Sequence, residues 1–428
     1  MTVRTPGLEG LGLSDPMFWT RPQAQREAAF AHLRSLPAPT HFPEVEVPFI
    51  KGGDGYWALV RHADVVEASR RPEVFSNEPT SNSISDMPGY LARFFGSMIN
   101  MDDPRHAKIR RIVSRAFTPR MLSRLDRRIE ETAREIVDDV LRGRGTGDFV
   151  EDVAARLPLK IICDMMGIPE SERRMVLERS NTILGIGDPE YGVGGEDVSQ
   201  ISRINVGLAL TRLLDAGMEL QLLIRRLGRE RRRRPGDDLV TALVSGNVDG
   251  EHLTDQELGS FFILLVVAGN ETTRNAISHG LKLLTVNEDQ RALLLSDPEA
   301  HLPGAVEEIV RYATPVIQFR RTLTRDTVLN GHPLSEGEKV LLFYNSANRD
   351  EAVFTDPDRF DITRSPNPHV GFGGPGPHFC LGANLARREI TVMLRELYTR
   401  LPALRSTAPP DRLLSGFING IKHLPYKV

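Results

Sequence analysis

Apolar residues recurring every three or four positions dominate residues 104–287, where Pro119–Arg142, Leu159–Met166 and Ile204–Arg232 each carry a helical stripe. Shorter helices are expected near Gln25–Leu36, after a proline-containing start that wraps the body, and at His62–Arg70. The clearest helix begins at Thr254. Thr254-Asp255-Gln256-Glu257 has capping-box spacing, in which the Thr hydroxyl accepts a backbone N–H and Glu257 folds back. Apolar residues continue through Leu284, giving about 30 residues and roughly 45 Å. Because Phe261–Ala268 is apolar almost all round, this helix must be buried.

Strand-like patches are expected at Phe49–Ile50, Tyr56–Val60, Phe319–Leu323, Val328–Asn330 and Val340–Tyr344. Asn77–Pro88 reads as a mobile loop. A Pro/Gly-rich segment, Ser365–Pro377, leads into a last helix near Leu381–Arg400, and Asp411–Val428 predicts a hairpin returning to the core. The fold class is therefore mainly α, with a small β-rich part split between both ends of the chain. Length alone suggests about three domains, yet no repeat, linker or low-complexity stretch divides residues 1–428, so one domain is expected.

Composition adds exclusions. The chain is 40% hydrophobic and 26% charged, with a formal net charge of −3, which argues against a general nucleic-acid binder. Arg231–Arg234 runs straight into Pro235-Gly236-Asp237-Asp238 and reads as a helix end, not a nucleic-acid patch. The only two cysteines, Cys163 and Cys380, speak for a reducing compartment without disulfides. No signal peptide is discernible, and the longest apolar run, Phe261–Gly269, is far short of the roughly 20 residues a spanning helix needs. A soluble, cytoplasmic monomer is expected.

The most informative stretch is Gly371-Phe372-Gly373-Gly374-Pro375-Gly376-Pro377-His378-Phe379-Cys380-Leu381-Gly382. Its glycines let backbone pass close to a large flat ligand. Cys380 precedes a helical pattern, so unpaired N–H groups and the positive dipole end favour thiolate. The competing reading, an inert cysteine beside a Gly-rich turn, would suit an isolated cysteine. Here the segment resembles the haem-binding loop of the cytochrome P450 superfamily, with Phe372 one residue further from the cysteine than usual. The resemblance implies that family's fold and haem b (iron protoporphyrin IX) bound axially by the Cys380 thiolate. It also sets Ala268, Gly269, Phe372 and Gly382 against the haem.

Ala268-Gly269-Asn270-Glu271-Thr272-Thr273 interrupts the buried helix with polar residues. Gly269 costs about 1 kcal/mol relative to Ala, which close approach of a flat cofactor would offset. Thr272 can return its hydroxyl to the Ala268 carbonyl, loosening the helix locally and opening a niche for water or dioxygen. Otherwise, Glu271 would pair with Arg274 on the helix surface. The resemblance instead implies an acid–alcohol pair, Glu271 and Thr272, that delivers protons to bound dioxygen.

Glu308 and Arg311 stand three apart on one helix face. They resemble the family's Glu-x-x-Arg pair, with Arg359 as third member of a structural network. His106 and Arg110 share a helix face after Pro104; with Arg321 and His378 they match the family's contacts to the haem propionates. Arg387 and Arg388, after the ligand loop, read either as a solvated face or as a dock for a small acidic iron–sulfur protein.

Phe94-Phe95-Gly96-Ser97-Met98, Leu159–Gly167 and Phe262–Glu271 resemble actinobacterial, especially mycobacterial, lipid- and sterol-hydroxylating members. This implies terminal hydroxylation of a methyl-branched or isoprenoid chain with O2, fed by a ferredoxin and an NAD(P)H-dependent reductase. Sterol side-chain hydroxylation is the neighbouring reading. Phe95, Ile99, Val267, Val316, Ile317 and Phe417 are the candidate walls of an apolar tunnel, though core packing explains apolar residues as well. A peroxide-driven enzyme would not need the acid–alcohol pair, and neither would a haem carrier or gas sensor. A haem-free interaction protein leaves the cysteine segment unexplained.

Overall fold

The computed structural model describes residues 12–49, 52–116, 119–191, 203–246, 250 and 252–428. Thr254 closes its capping box: its hydroxyl accepts the Glu257 amide at 3.2 Å, and Glu257 Oε2 accepts the Thr254 amide at 2.9 Å. The helix so started runs Asp255–Val286, 32 residues, or about 48 Å at 1.5 Å per residue. It forms the spine of the molecule, packing against helices Arg156–Met166, Arg203–Arg233, Pro298–Ala313 and Ala383–Arg400. Phe262, Val266, Ile277 and Leu284 are fully buried in that core. From Phe261 to Ala276 one side of the helix faces cavities, with Ala268 and Thr272 at their meeting point.

The principal sheet joins strands from both ends of the chain, in the order Thr40–Phe42, Tyr56–Leu59, Lys339–Phe343, Gln318–Leu323 and Phe75–Ser76. Tyr56–Leu59 pairs in parallel with Lys339–Phe343, which pairs antiparallel with Gln318–Leu323, setting Arg321 opposite Val340. Every residue of Lys339–Phe343 is buried, as a central strand covered on both faces requires.

Helices observed at Gln23–Ser35, His62–Arg70, Pro119–Arg142 and Arg203–Arg233 match the periodicity. Several expectations need correction. Phe49 is a turn residue with φ of 67°, and Ile50, like the chain start before Gly12, lies outside the described residues. Val328–Asn330 ends at Leu329 because Asn330 and Gly331 take positive φ in the turn to His332–Leu334. Val340–Tyr344 ends at Phe343, where Tyr344–Ala347 turns helical. The final helix begins at Ala383, because Leu381 and Gly382 complete the turn around Cys380. Asp411–Val428 is not one hairpin. Asp411–Arg412 pairs with Ile421–His423, but Pro425–Lys427 joins Thr146–Asp148 and Arg405–Ser406 instead, burying Tyr426.

Candidate active site

The cysteine loop is held by its own backbone and by its neighbours. Cys380 N donates to Phe372 O at 2.9 Å, and Val370 N donates to Asn348 Oδ1 at 2.8 Å. A Cβ at Gly376 would come within 2.1 Å of the Ser69 carbonyl oxygen, so the loop lies flush on the end of helix His62–Arg70 only without side chains there. The Arg387 guanidinium lies 4.3 Å from the centre of the Phe372 ring and grips Glu307 at 2.6 and 2.9 Å. Phe372 thus closes the loop despite its longer spacing from Cys380.

Cys380 opens onto a cavity of about 250 Å³. Phe372, Leu381, Gly382 and Leu385 line one wall; Ala268, Gly269 and Thr272 of the spine helix line another. Burial pushes the Cys380 thiol up, against the Gly382 amide and the charges of Arg110 and Arg387, which pull it down. The Gly382 amide at the helix start thus favours the thiolate, and desolvation opposes it. Gly269 lines this cavity. A Cβ there would meet Ile162 Cδ1 at 2.3 Å, so the glycine serves the contact with helix Arg156–Met166 as well as the cavity wall.

The four expected propionate contacts, two arginines and two histidines, line the same cavity. The rings of His106 and His378 lie 4.1 Å apart. Arg110 Nη2 donates to Phe379 O at 2.8 Å, and buried Arg321 donates to Arg320 O at 2.7 Å. Burial, with His106, Arg321 and Arg110 nearby, pushes His378 down to about 2. His106 is also held below its ordinary value, chiefly by burial, against the pull of Asp103. Its Nε2 is buried without a partner. An apolar slot with a cysteine on one face and these arginines and histidines along it fits a flat apolar ligand carrying carboxylates, as haem does.

Thr272 donates its hydroxyl to Ala268 O at 2.7 Å while the helix continues unbroken. Glu271 faces elsewhere. Its Oε1 accepts from Arg274 and, at 3.3 Å, from Asn275; Arg274 is held in turn by Asn181 at 3.0 Å. Glu271 and Arg274 do pair, but both are buried, which corrects the picture of a surface pair. Glu271 Oε2 has no partner.

A second cavity, of about 450 Å³, adjoins the first and shares Ile99, Leu264, Ala268, Thr272, Val316 and Phe319 with it. Phe95, Ile99, Val267, Val316 and Phe417 line it as expected. Ile317 does not. It packs with Phe30 and Phe343 in a separate core, since adjacent residues of an extended chain point to opposite sides.

Glu308 and Arg311 are wholly buried and joined by two bonds of 2.7 and 2.8 Å. Arg359 needs correction: its side chain is exposed, and it gives the network only its carbonyl, accepting from Arg311 at 3.2 Å. The third member is instead Arg364, whose Nε reaches Glu308 at 3.3 Å, with Asn367 Nδ2 at 3.1 Å. The turn in which Arg364 N donates to Asp361 O at 3.1 Å brings Arg364 back to Glu308, which sequence spacing does not reveal. Glu389 was also missed. It lies in the cavity wall, fully buried, and burial pushes its carboxyl up to about 8. In the sequence Arg387 and Arg388 read as a solvated face or a protein dock, and nothing marks Glu389 beside them. Arg388 is engaged by Asp126 and Glu130, and Arg231 and Arg232 by Asp238 and Asp255.

The cytochrome P450 family pattern matches residues 301–419. The methyl-branched lipid omega-hydroxylase of Mycobacterium tuberculosis is 46% identical over 420 residues, 98% of this chain and 94% of that one. The steroid C26-monooxygenase of Mycolicibacterium smegmatis is 40% identical over 394 residues, 90% and 86% of the two chains. A Mycobacterium marinum cytochrome P450 solved in complex with pseudoionone superposes with a TM-score of 0.90 at 42% identity, covering 97% of this chain and 98% of the other. This chain belongs to the cytochrome P450 family. It is a monooxygenase of that fold, a class whose members use haem iron with a cysteine thiolate, take O2 and depend on redox partners. No helix among the described residues is long and apolar enough to cross a membrane.

Proposed function

We propose that this monooxygenase hydroxylates the terminal methyl group of a methyl-branched or isoprenoid lipid, using haem b bound at Cys380. The observation that carries this reading is the pair of adjoining cavities, meeting where Thr272 and Ala268 face the cysteine slot. A chain lying in the larger cavity presents its end at that junction, so position rather than C–H reactivity selects the oxidised carbon. The relatives named for methyl-branched lipids and for steroid C26 support the same end-on approach.

His106, Arg110, Arg321 and His378 would hold the propionates, and the haem would supply dioxygen activation. Thr272 commits its proton to Ala268 O, so its oxygen lone pairs are left to accept a proton bond from the cavity side. Glu271, one residue away with Oε2 unpartnered, would pass protons to that alcohol once Arg274 turns aside. Electrons would come from a small ferredoxin and its NAD(P)H-dependent reductase.

The test is a panel of branched and linear lipids and sterols, scored by low-to-high spin change and product position. Oxygen inserted at the ends of branched chains is expected. Preferred in-chain oxidation of a linear fatty acid overturns the substrate claim and spares the enzyme class. Turnover that is faster with peroxide than with ferredoxin and reductase overturns the electron source.

A further inference from the structure

One side of helix Arg203–Arg233 carries Leu213, Gly217 and Gln221 at successive spacings of four residues, so the three stand in one row. Leu213 lines the larger cavity, and this side of the helix therefore looks toward it. The ring that meets Gly217 there is Phe95, itself part of the cavity wall. Phe95 ends the short helix Gly89–Phe95, and Ala92, three residues earlier on the same face, lines the same space.

The two helices meet where the longer one has no side chain. A Cβ at Gly217 would come within 2.6 Å of Phe94 Cε1, and within 3.0 and 3.1 Å of Phe95 Cε1 and Cζ, all closer than ordinary van der Waals contact. The two rings pack edge-to-face with centroids 4.9 Å apart, so a push on one is felt by the other. Buried Gln221, one turn beyond Gly217, donates Nε2 to Phe94 O at 3.3 Å and ties the backbone beneath the rings to the longer helix. With that backbone held, a displaced Phe95 ring moves toward the open side, which is the cavity. Glycine is unfavourable inside a helix, and here it provides the recess in which these rings sit.

We propose that Gly217 is a positioning residue for Phe95 that sets the width of the lipid chamber, and with it the room for a methyl branch. Bare backbone at Gly217 keeps the ring recessed; a methyl group there advances it into the chamber. A branched chain is wider than a linear one at each branch, and a close-packed wall tolerates little added volume, so the branched ligand is the one excluded. This deepens the lipid-hydroxylase reading and rests on it.

The experiment is spin-state titration of the haem-loaded protein with two lipids of equal chain length and the same head group, one methyl-branched and one linear. Gly217→Ala is expected to weaken the branched lipid by about tenfold and to leave the linear one near its parent affinity. Gly207 lies on the same helix, where an added Cβ meets nothing within 4 Å. Gly207→Ala is therefore the control for helix propensity and should alter neither affinity. Phe95→Leu removes the ring atoms that the new methyl would meet, so in that background Gly217→Ala should lose its effect on the branched lipid. The width role is overturned if Gly217→Ala weakens both lipids equally or neither, if Gly207→Ala reproduces its effect, or if the loss persists undiminished alongside Phe95→Leu. Unaltered linear affinity and haem content in Gly217→Ala exclude misfolding as the cause. Product position is read separately: a width effect with in-chain oxidation defeats chain-end hydroxylation alone, and chain-end oxidation without a width effect defeats the role of Gly217 alone.

Discussion

At Thr272 a single hydroxyl is spent on the Ala268 carbonyl at 2.7 Å, yet the residue still faces both cavities. Removing it should leave the fold and cofactor intact and damage proton delivery. Thr272→Ala is expected to retain haem, divert reducing equivalents to hydrogen peroxide and lower product formation by about tenfold or more. Peroxide yield per NAD(P)H consumed checks this, and tightly coupled turnover would remove the role. In the ion-pair network, Glu308 accepts from Arg311, Arg364, Asn367 and the Asp361 amide at once. Arg364→Ala should therefore cost about 1–3 kcal/mol in denaturant unfolding, while Arg359→Ala stays within about 0.5 kcal/mol. Equal losses would contradict the corrected assignment. Cys380 was legible because glycines, Phe372 and the following helix pattern lie within one short segment. Arg364 and Glu389 were not, since each depends on how distant segments meet, whereas Ile317 could have been separated from Val316 by the alternation of an extended chain.

Among the elements, the cysteine loop, helix Pro298–Ala313 and helix Ala383–Arg400 are tied at one carboxylate. Glu307 accepts from His369 at 2.9 Å and from Arg387 at 2.6 Å. Burial pulls its carboxyl upward, but these two partners prevail and hold it at about 2, below its ordinary 4.5. A depressed folded value stabilises the protein above the unfolded value, and that contribution fades as pH falls from about 4.5 toward 2. Glu307→Gln should lower Tm at neutral pH and differ progressively less from the parent through that acid window. A Tm difference that persists unchanged at the acid end would show that the ionised group is not what matters. The long helices were readable because many turns of period repeat the same signal, and Thr254–Glu257 marked a start. Strands of two or three residues, such as Phe75–Ser76 and Thr40–Phe42, carry too few alternations to be read, and their partners lie far along the chain.

Across the whole molecule, one spine helix and one terminal helix enclose an apolar slot, with cationic side chains at its edge and a lipid-sized chamber beyond. Every functional proposal depends on Cys380 donating sulfur to haem iron in that slot. The direct measurement is the absorption spectrum of the reduced, carbon monoxide-bound protein. The account predicts the red-shifted thiolate Soret band in the parent protein and its loss in Cys380→Ser and Cys380→His. A parent protein without that band, or a variant that retains it, would contradict the account.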